Sequence, residues 1–190
     1  YLYKYARKIE DRTLYSYAQR LLESVETNNI NDIEIVRKLV EEDDRIQYIK
    51  IDPHERKVNV RFSLQINYIR AYDKNGRSYL IKLSTPLTLK GIIESEFKDL
   101  KKPHVDVEGD IPHPNIPDGS RVCTGNITVN TSSVLGIVAT VKSILEVLQY
   151  PNLDNTSLGY DFLQFLLEKK YIADKDIPRE VQCYYGLIDC

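Results

Sequence analysis

Val58, Val60, Phe62 and Leu64 alternate with polar residues, and the pair Asn75-Gly76 stands just ahead of a second β-rich run at 78–83. Alternation of period two buries one face of a strand and wets the other, and Asn-Gly is a favoured pair for a tight hairpin, so the centre of the chain is read as antiparallel sheet. Further strands are predicted at 46–51, ahead of the alternating run 58–66, and at 103–107. Helical periodicity flanks this sheet. Tyr5, Ile9, Leu14, Tyr17, Leu21 and Val25 recur at helical spacing over 3–26, with Lys4, Arg7, Lys8, Arg12 and Arg20 on polar positions. Asn31 is placed to cap a helix over 32–42, with Glu34 at its third position and Ile33, Val36, Leu39 and Val40 as its apolar face. Residues 89–100, through Ile92, Ile93, Phe97 and Leu100, read as a short inserted helix. After a polar, irregular stretch at 124–133, two apolar helices are predicted at 134–148 and 157–170, and the tail 174–190 shows no period. The expected class is α+β: N-terminal helices, a four-strand antiparallel meander, an irregular loop and C-terminal helices. Residues 1–28 are read as a helical extension and 29–190 as the main domain.

Composition narrows the function. At 190 residues, 42% hydrophobic and 28% charged, the chain is that of an ordinary globular domain with a sizeable core. No run approaches the roughly twenty apolar residues that span a bilayer. A net charge of −2 supplies no Lys/Arg surplus for phosphate backbones, so nucleic acid is not an expected partner. Cys123, Cys183 and Cys190 are an odd set and not the framework of a secreted disulfide-rich domain, which points to a reducing, cytoplasmic setting. Sequons at Asn126, Asn130 and Asn155 are of a kind that arises often by chance. Cys183 and Cys190 lack nearby histidines, so no metal site is expected, and no cofactor motif is found.

Residues 113–123 read His-Pro-Asn-Ile-Pro-Asp-Gly-Ser-Arg-Val-Cys, placing one cysteine ten positions after a turn-forming His-Pro-Asn. Pro103, Val105 and Ile111 lie ten, eight and two positions before His113, and Pro151-Asn152 begins twenty-eight residues after Cys123. The pattern, over about 45–170, resembles that of ubiquitin-conjugating enzymes, in which His-Pro-Asn is followed at this offset by the cysteine that carries ubiquitin. The resemblance implies a ubiquitin-conjugating-like fold and a thioester on Cys123. It also implies a ubiquitin-like modifier and an activating enzyme as partners, with a target lysine or thiol, or a ligase, downstream.

The chemistry suits these residue types. A thiolate attacks carbonyls readily, and an unperturbed thiol, about 3% ionised at pH 7, suffices when the incoming acyl group is itself a thioester. The resemblance makes His113 and Pro114 structural parts of the turn. It gives Asn115 one of two roles: stabilising the oxyanion formed when an amine attacks, by roughly 3 to 4 kcal/mol, or holding the loop that carries the cysteine. A lysine must lose about 3 units of pKa to attack at pH 7, on the order of 4 kcal/mol. The family often sets an acidic residue after its second helix to orient that lysine. Asn155 falls at that position here, beside Asp154.

Departures and alternatives accompany the match. Gly119 stands one position early, Thr131-Ser132-Ser133 occupies the place of the family's tryptophan-x-proline, and the segment 89–100 replaces its usual proline-aromatic turn. These alter the expected ligase-contact surface. Because 32–42 is acidic, either the basic helix at 3–26 takes over the contact with an activating enzyme that the resemblance implies, or the partner differs from the usual one. A cysteine hydrolase using Cys123, His113 and Asn115 is one alternative. A non-catalytic RWD-like interaction module of the same fold is another, and a buried structural cysteine is the plainest.

Overall fold

The computed structural model describes residues 30–190, so the helix expected over 3–26 and the extension 1–28 lie outside the described residues. The elements are α1 (Ile30–Glu41), β1 (Ile46–Asp52), β2 (Lys57–Tyr72), β3 (Ser78–Glu96), a 3-10 turn (Phe97–Asp99), β4 (His104–Val107), α2 (Val134–Gln149), α3 (Thr156–Glu168), a second 3-10 turn (Asp174–Asp176) and α4 (Arg179–Tyr185). The strands form one antiparallel sheet in the order β1-β2-β3-β4, and the class is α+β. Among the described residues no helix is long and apolar enough to cross a membrane. Helix α1 begins at Ile30, ahead of the cap expected at Asn31.

The alternation in β2 does what its period dictates. Val58, Val60, Phe62, Leu64 and Ile66 are buried while Arg61 and Gln65 are exposed. These buried residues share one hydrophobic core with Ile137, Val138, Val141, Ile144, Leu145 and Leu148 of α2 and Phe162, Leu163 and Leu166 of α3. The β2–β3 hairpin closes at Asp73, whose Oδ1 accepts N–H groups from Asn75 at 2.8 Å and Arg77 at 3.0 Å, with Gly76 in the left-handed region at φ 77°.

Residues 89–100 correct the expectation of an inserted helix. They continue β3 to Glu96 before the 3-10 turn, with Leu87, Leu89 and Ile93 buried against exposed Thr88 and Lys90. The adjacent pair Ile92-Ile93 and the later Phe97 imitate a helical face, but partners on both sides of β3 decide the matter: Ile93 pairs with Val60 and with Val105. Gly91 is needed here, because a Cβ on it would collide with the Asp106 carbonyl oxygen.

Two long-range ties fix the helices. Asp43, only 7% exposed, receives Nε and Nη2 of Arg45 at 2.8 Å each, and Arg45 also donates to Gln149 at 3.0 Å, joining the α1–β1 connection to the end of α2. Burial opposes the Asp43 charge, but Arg45's hydrogen bonds and positive charge outweigh it and hold the carboxyl below its usual range. The tail is also ordered. Pro178 leads into α4, Gly186 ends it at φ 75°, and Val181 and Tyr185 are buried. The Tyr185 hydroxyl donates to the Leu153 carbonyl and accepts the Tyr72 N–H at 3.2 Å. Cys183 and Cys190, which their spacing alone does not pair, are joined as a disulfide.

Candidate active site

Cys123 is an exposed residue held between two buried anchors. On one side Val122 is fully buried and its N–H donates to the Pro103 carbonyl at 3.0 Å, while Val105 donates to Ser120 at 2.8 Å, so 120–122 lies against the start of β4. On the other side Thr124 is buried and its hydroxyl donates to the Lys101 carbonyl. Burial thus alternates along 122–124, with both neighbours inward and Cys123 exposed. It is the chain's free cysteine.

The tripeptide and the cysteine form one hydrogen-bonded unit. The Cys123 N–H donates to the Asn115 carbonyl at 2.7 Å, and Asn115 Nδ2 donates to the Cys123 carbonyl at a longer 3.4 Å. Asn115 Oδ1 is buried and has no hydrogen-bond partner among the described residues. The Cys123 carbonyl needs a donor, which fixes which way the amide points. The Asn115 N–H donates to His113 Nδ1 at 3.1 Å, and His113 Nε2 lies 2.8 Å from the Leu148 carbonyl. Nδ1 therefore accepts and Nε2–H donates, so the imidazole is neutral and both nitrogens are engaged. His113 has no nitrogen left to take the Cys123 proton. His54 stands at the β1–β2 turn and His104 opens β4. The hydrolase arrangement thus lacks its base.

Burial lowers the His113 pKa to about 4, with the Leu148 contact pulling weakly the other way. Its folded value lies below the unfolded one, so its contribution is complete above pH about 6.5. As pH falls from there toward 4 the unfolded chain binds a proton that the native state refuses, and stability drops by about 3 kcal/mol. Urea unfolding across this window is expected to show that slope, and the His113 ring signal in NMR is expected to titrate near 4. A midpoint near 6.5 would contradict the clamp.

The loop between tripeptide and cysteine has its own anchor, one that the residue pattern did not bring forward. Asp118 Oδ1 accepts the N–H groups of Ser120 at 2.9 Å and Arg121 at 2.8 Å, which hold its carboxyl below the usual range. Gly119 follows at φ 73° with open space around it. Asp-Gly was the available signal. Thr131-Ser132-Ser133 serves the next helix, since Ser133 caps α2 by accepting the Gly136 N–H at 3.1 Å.

Asn155 and Asp154 stand on the α2–α3 connection, which is tied to β2 through Leu153 N–H on the Arg70 carbonyl at 3.1 Å. This connection starts just past the Leu148 carbonyl that holds His113. Asn155 caps α3, accepting the Leu158 N–H at 3.1 Å, and Asp154 is exposed. The structure brings Cys123, Asn115, His113 and buried Pro114 together, and the amide of Asn155 faces its own helix. Among the described residues no group of three or more His, Cys, Asp or Glu is placed to hold a metal ion. No protein-family model, curated protein or solved structure matches the chain.

Proposed function

We propose that this protein is a ubiquitin-like-protein conjugating enzyme with a ubiquitin-conjugating-like fold. Cys123 takes a ubiquitin-like modifier as a thioester from an activating enzyme and passes it to a lysine or thiol, with or without a ligase. The observation that carries this reading is one exposed free thiol on a residue whose backbone is held twice by Asn115, N–H to backbone carbonyl and carbonyl to side-chain amide, on a loop clamped by buried neighbours. A carrier thiol must be reachable by two bulky partners in turn and must not wander, and this arrangement meets both demands. The same reading places the protein in the cytoplasm, alongside ATP and an activating enzyme. The Cys183–Cys190 disulfide weighs against that compartment, since disulfides are rare in reducing interiors.

The test is incubation with candidate modifier, activating enzyme and ATP, followed by non-reducing gels. A thiol-sensitive adduct is the expected result. Its absence with every candidate modifier would sink the reading and favour the RWD-like interaction module.

Asn155 offers a finer check. Aspartate caps helices as well as asparagine and suits the positive N-terminal end of α3, so Asn155→Asp should leave the fold intact. The cap uses one carboxylate oxygen, and the other is expected to take a proton from the attacking lysine and speed discharge to free lysine about 10-fold at neutral pH, the gain shrinking toward the lysine pKa. Asp154→Asn serves as the control: it slows discharge only if Asp154 already does that work. No response to either change, with discharge to free cysteine intact, would mean that the cargo passes to a thiol.

A further inference from the structure

Beside the active-site loop lies a groove of about 650 Å³ with an apolar floor and an acidic rim. One wall is a single face of α3: Asp161, Gln164, Phe165 and Glu168 follow the i, i+3, i+4, i+7 spacing. The rest of the lining includes Asp106, Asp110 and Ile111, and no described residue lining the groove is positively charged. All four carboxylates are exposed. The groove also reaches Ile116, the residue after Asn115, so it is continuous with the loop that presents Cys123.

We infer that this groove docks a partner peptide in which cationic residues alternate with apolar ones, and that, on the acyl-transfer reading above, it delivers lysines of such segments to Cys123. Charge complementarity selects the occupant. Four carboxylates, with no cation among the described residues that line the groove, attract a cationic segment, and Ile111 with Phe165, which stacks on Tyr171 at 6.2 Å between centroids, gives its apolar side chains a surface to cover. An acidic or purely polar segment gains from neither.

The probe is fluorescein-labelled acetyl-Lys-Leu-Lys-Ala-Leu-Lys-amide, titrated by anisotropy with the full chain alone, without modifier or activating enzyme. The peptide with Glu in place of each Lys is the comparator. Binding of the Lys peptide only is expected, weakening about 10-fold in the Asp161→Asn, Glu168→Gln double variant and fading as salt screens the exposed charges. In transfer assays that variant is expected to raise KM for peptide lysine and leave discharge to free lysine unchanged. No binding, equal binding of both peptides, or indifference to the double variant would overturn the inference. Binding that appears only after Lys4→Glu, Arg7→Glu and Lys8→Glu would assign the groove to the chain's own N-terminal segment and also overturn it. Charge-dependent peptide binding without any Cys123 adduct would remove the acyl-transfer reading and not the docking. An adduct without charge-dependent binding would do the reverse.

Discussion

Cys123→Ser is expected to turn a thiol-sensitive adduct into one that survives reductant and yields only to base, and Cys123→Ala to remove it altogether. The serine variant keeps the geometry, because the bonds that hold this position are backbone bonds: Cys123 N–H to the Asn115 carbonyl, with the neighbouring Val122 N–H to Pro103. A hydroxyl in the same place attacks a thioester far more slowly than a thiol but forms an oxygen ester that amines cleave poorly, so cargo accumulates. The side chain is exposed, so neither change opens a cavity, and thermal stability should move by less than about 0.5 kcal/mol. An adduct that persists in Cys123→Ala, or that moves to Cys183, would remove the assignment.

Legibility of the fold followed the range of the interactions that decide it. The strand at 58–66 and the helices at 134–148 and 157–170 were readable because their own periodicity carries the burial pattern seen in β2, α2 and α3. Residues 89–100 were misread because Ile92-Ile93 fits either period, and pairing with β2 and β4, far away in sequence, chose the strand. At seven residues α4 is too short to declare a period, although Pro178 and Gly186 marked its ends. At the site, Cys123 and Asn115 were legible as residue types at a fixed spacing. The clamp on His113 was not, because its partner is the carbonyl of Leu148, and a backbone carbonyl leaves no trace in residue identity. The capping role of Asn155 was visible in principle, since asparagine before Thr156 and an apolar run is a helix-start signal, whereas the resemblance to ubiquitin-conjugating enzymes implies lysine chemistry at the same residue.

Asn115→Ala is expected to leave thioester formation nearly unchanged while slowing transfer to lysine about 100-fold, close to 3 kcal/mol of transition-state stabilisation. The geometry separates this outcome from simple loss of structure. The shorter of the two bonds linking residue 115 to Cys123, at 2.7 Å, uses the backbone carbonyl and survives in alanine. The side-chain bond it removes is long, at 3.4 Å, and the same substitution deletes an Oδ1 that is buried without a partner, so the two effects on stability oppose each other at about 1 kcal/mol each. A weakly committed Nδ2–H is suited to swing from the Cys123 carbonyl to the oxyanion that forms on the thioester carbon when an amine attacks. No such oxyanion needs that donor while the cysteine is merely holding its cargo. Single-turnover assays that load Cys123, then chase with free lysine, read the two steps separately, and the melting temperature reads the loop. Equal losses in loading and discharge, with a lowered melting temperature, would instead make Asn115 a strut for the loop and leave oxyanion stabilisation to other donors.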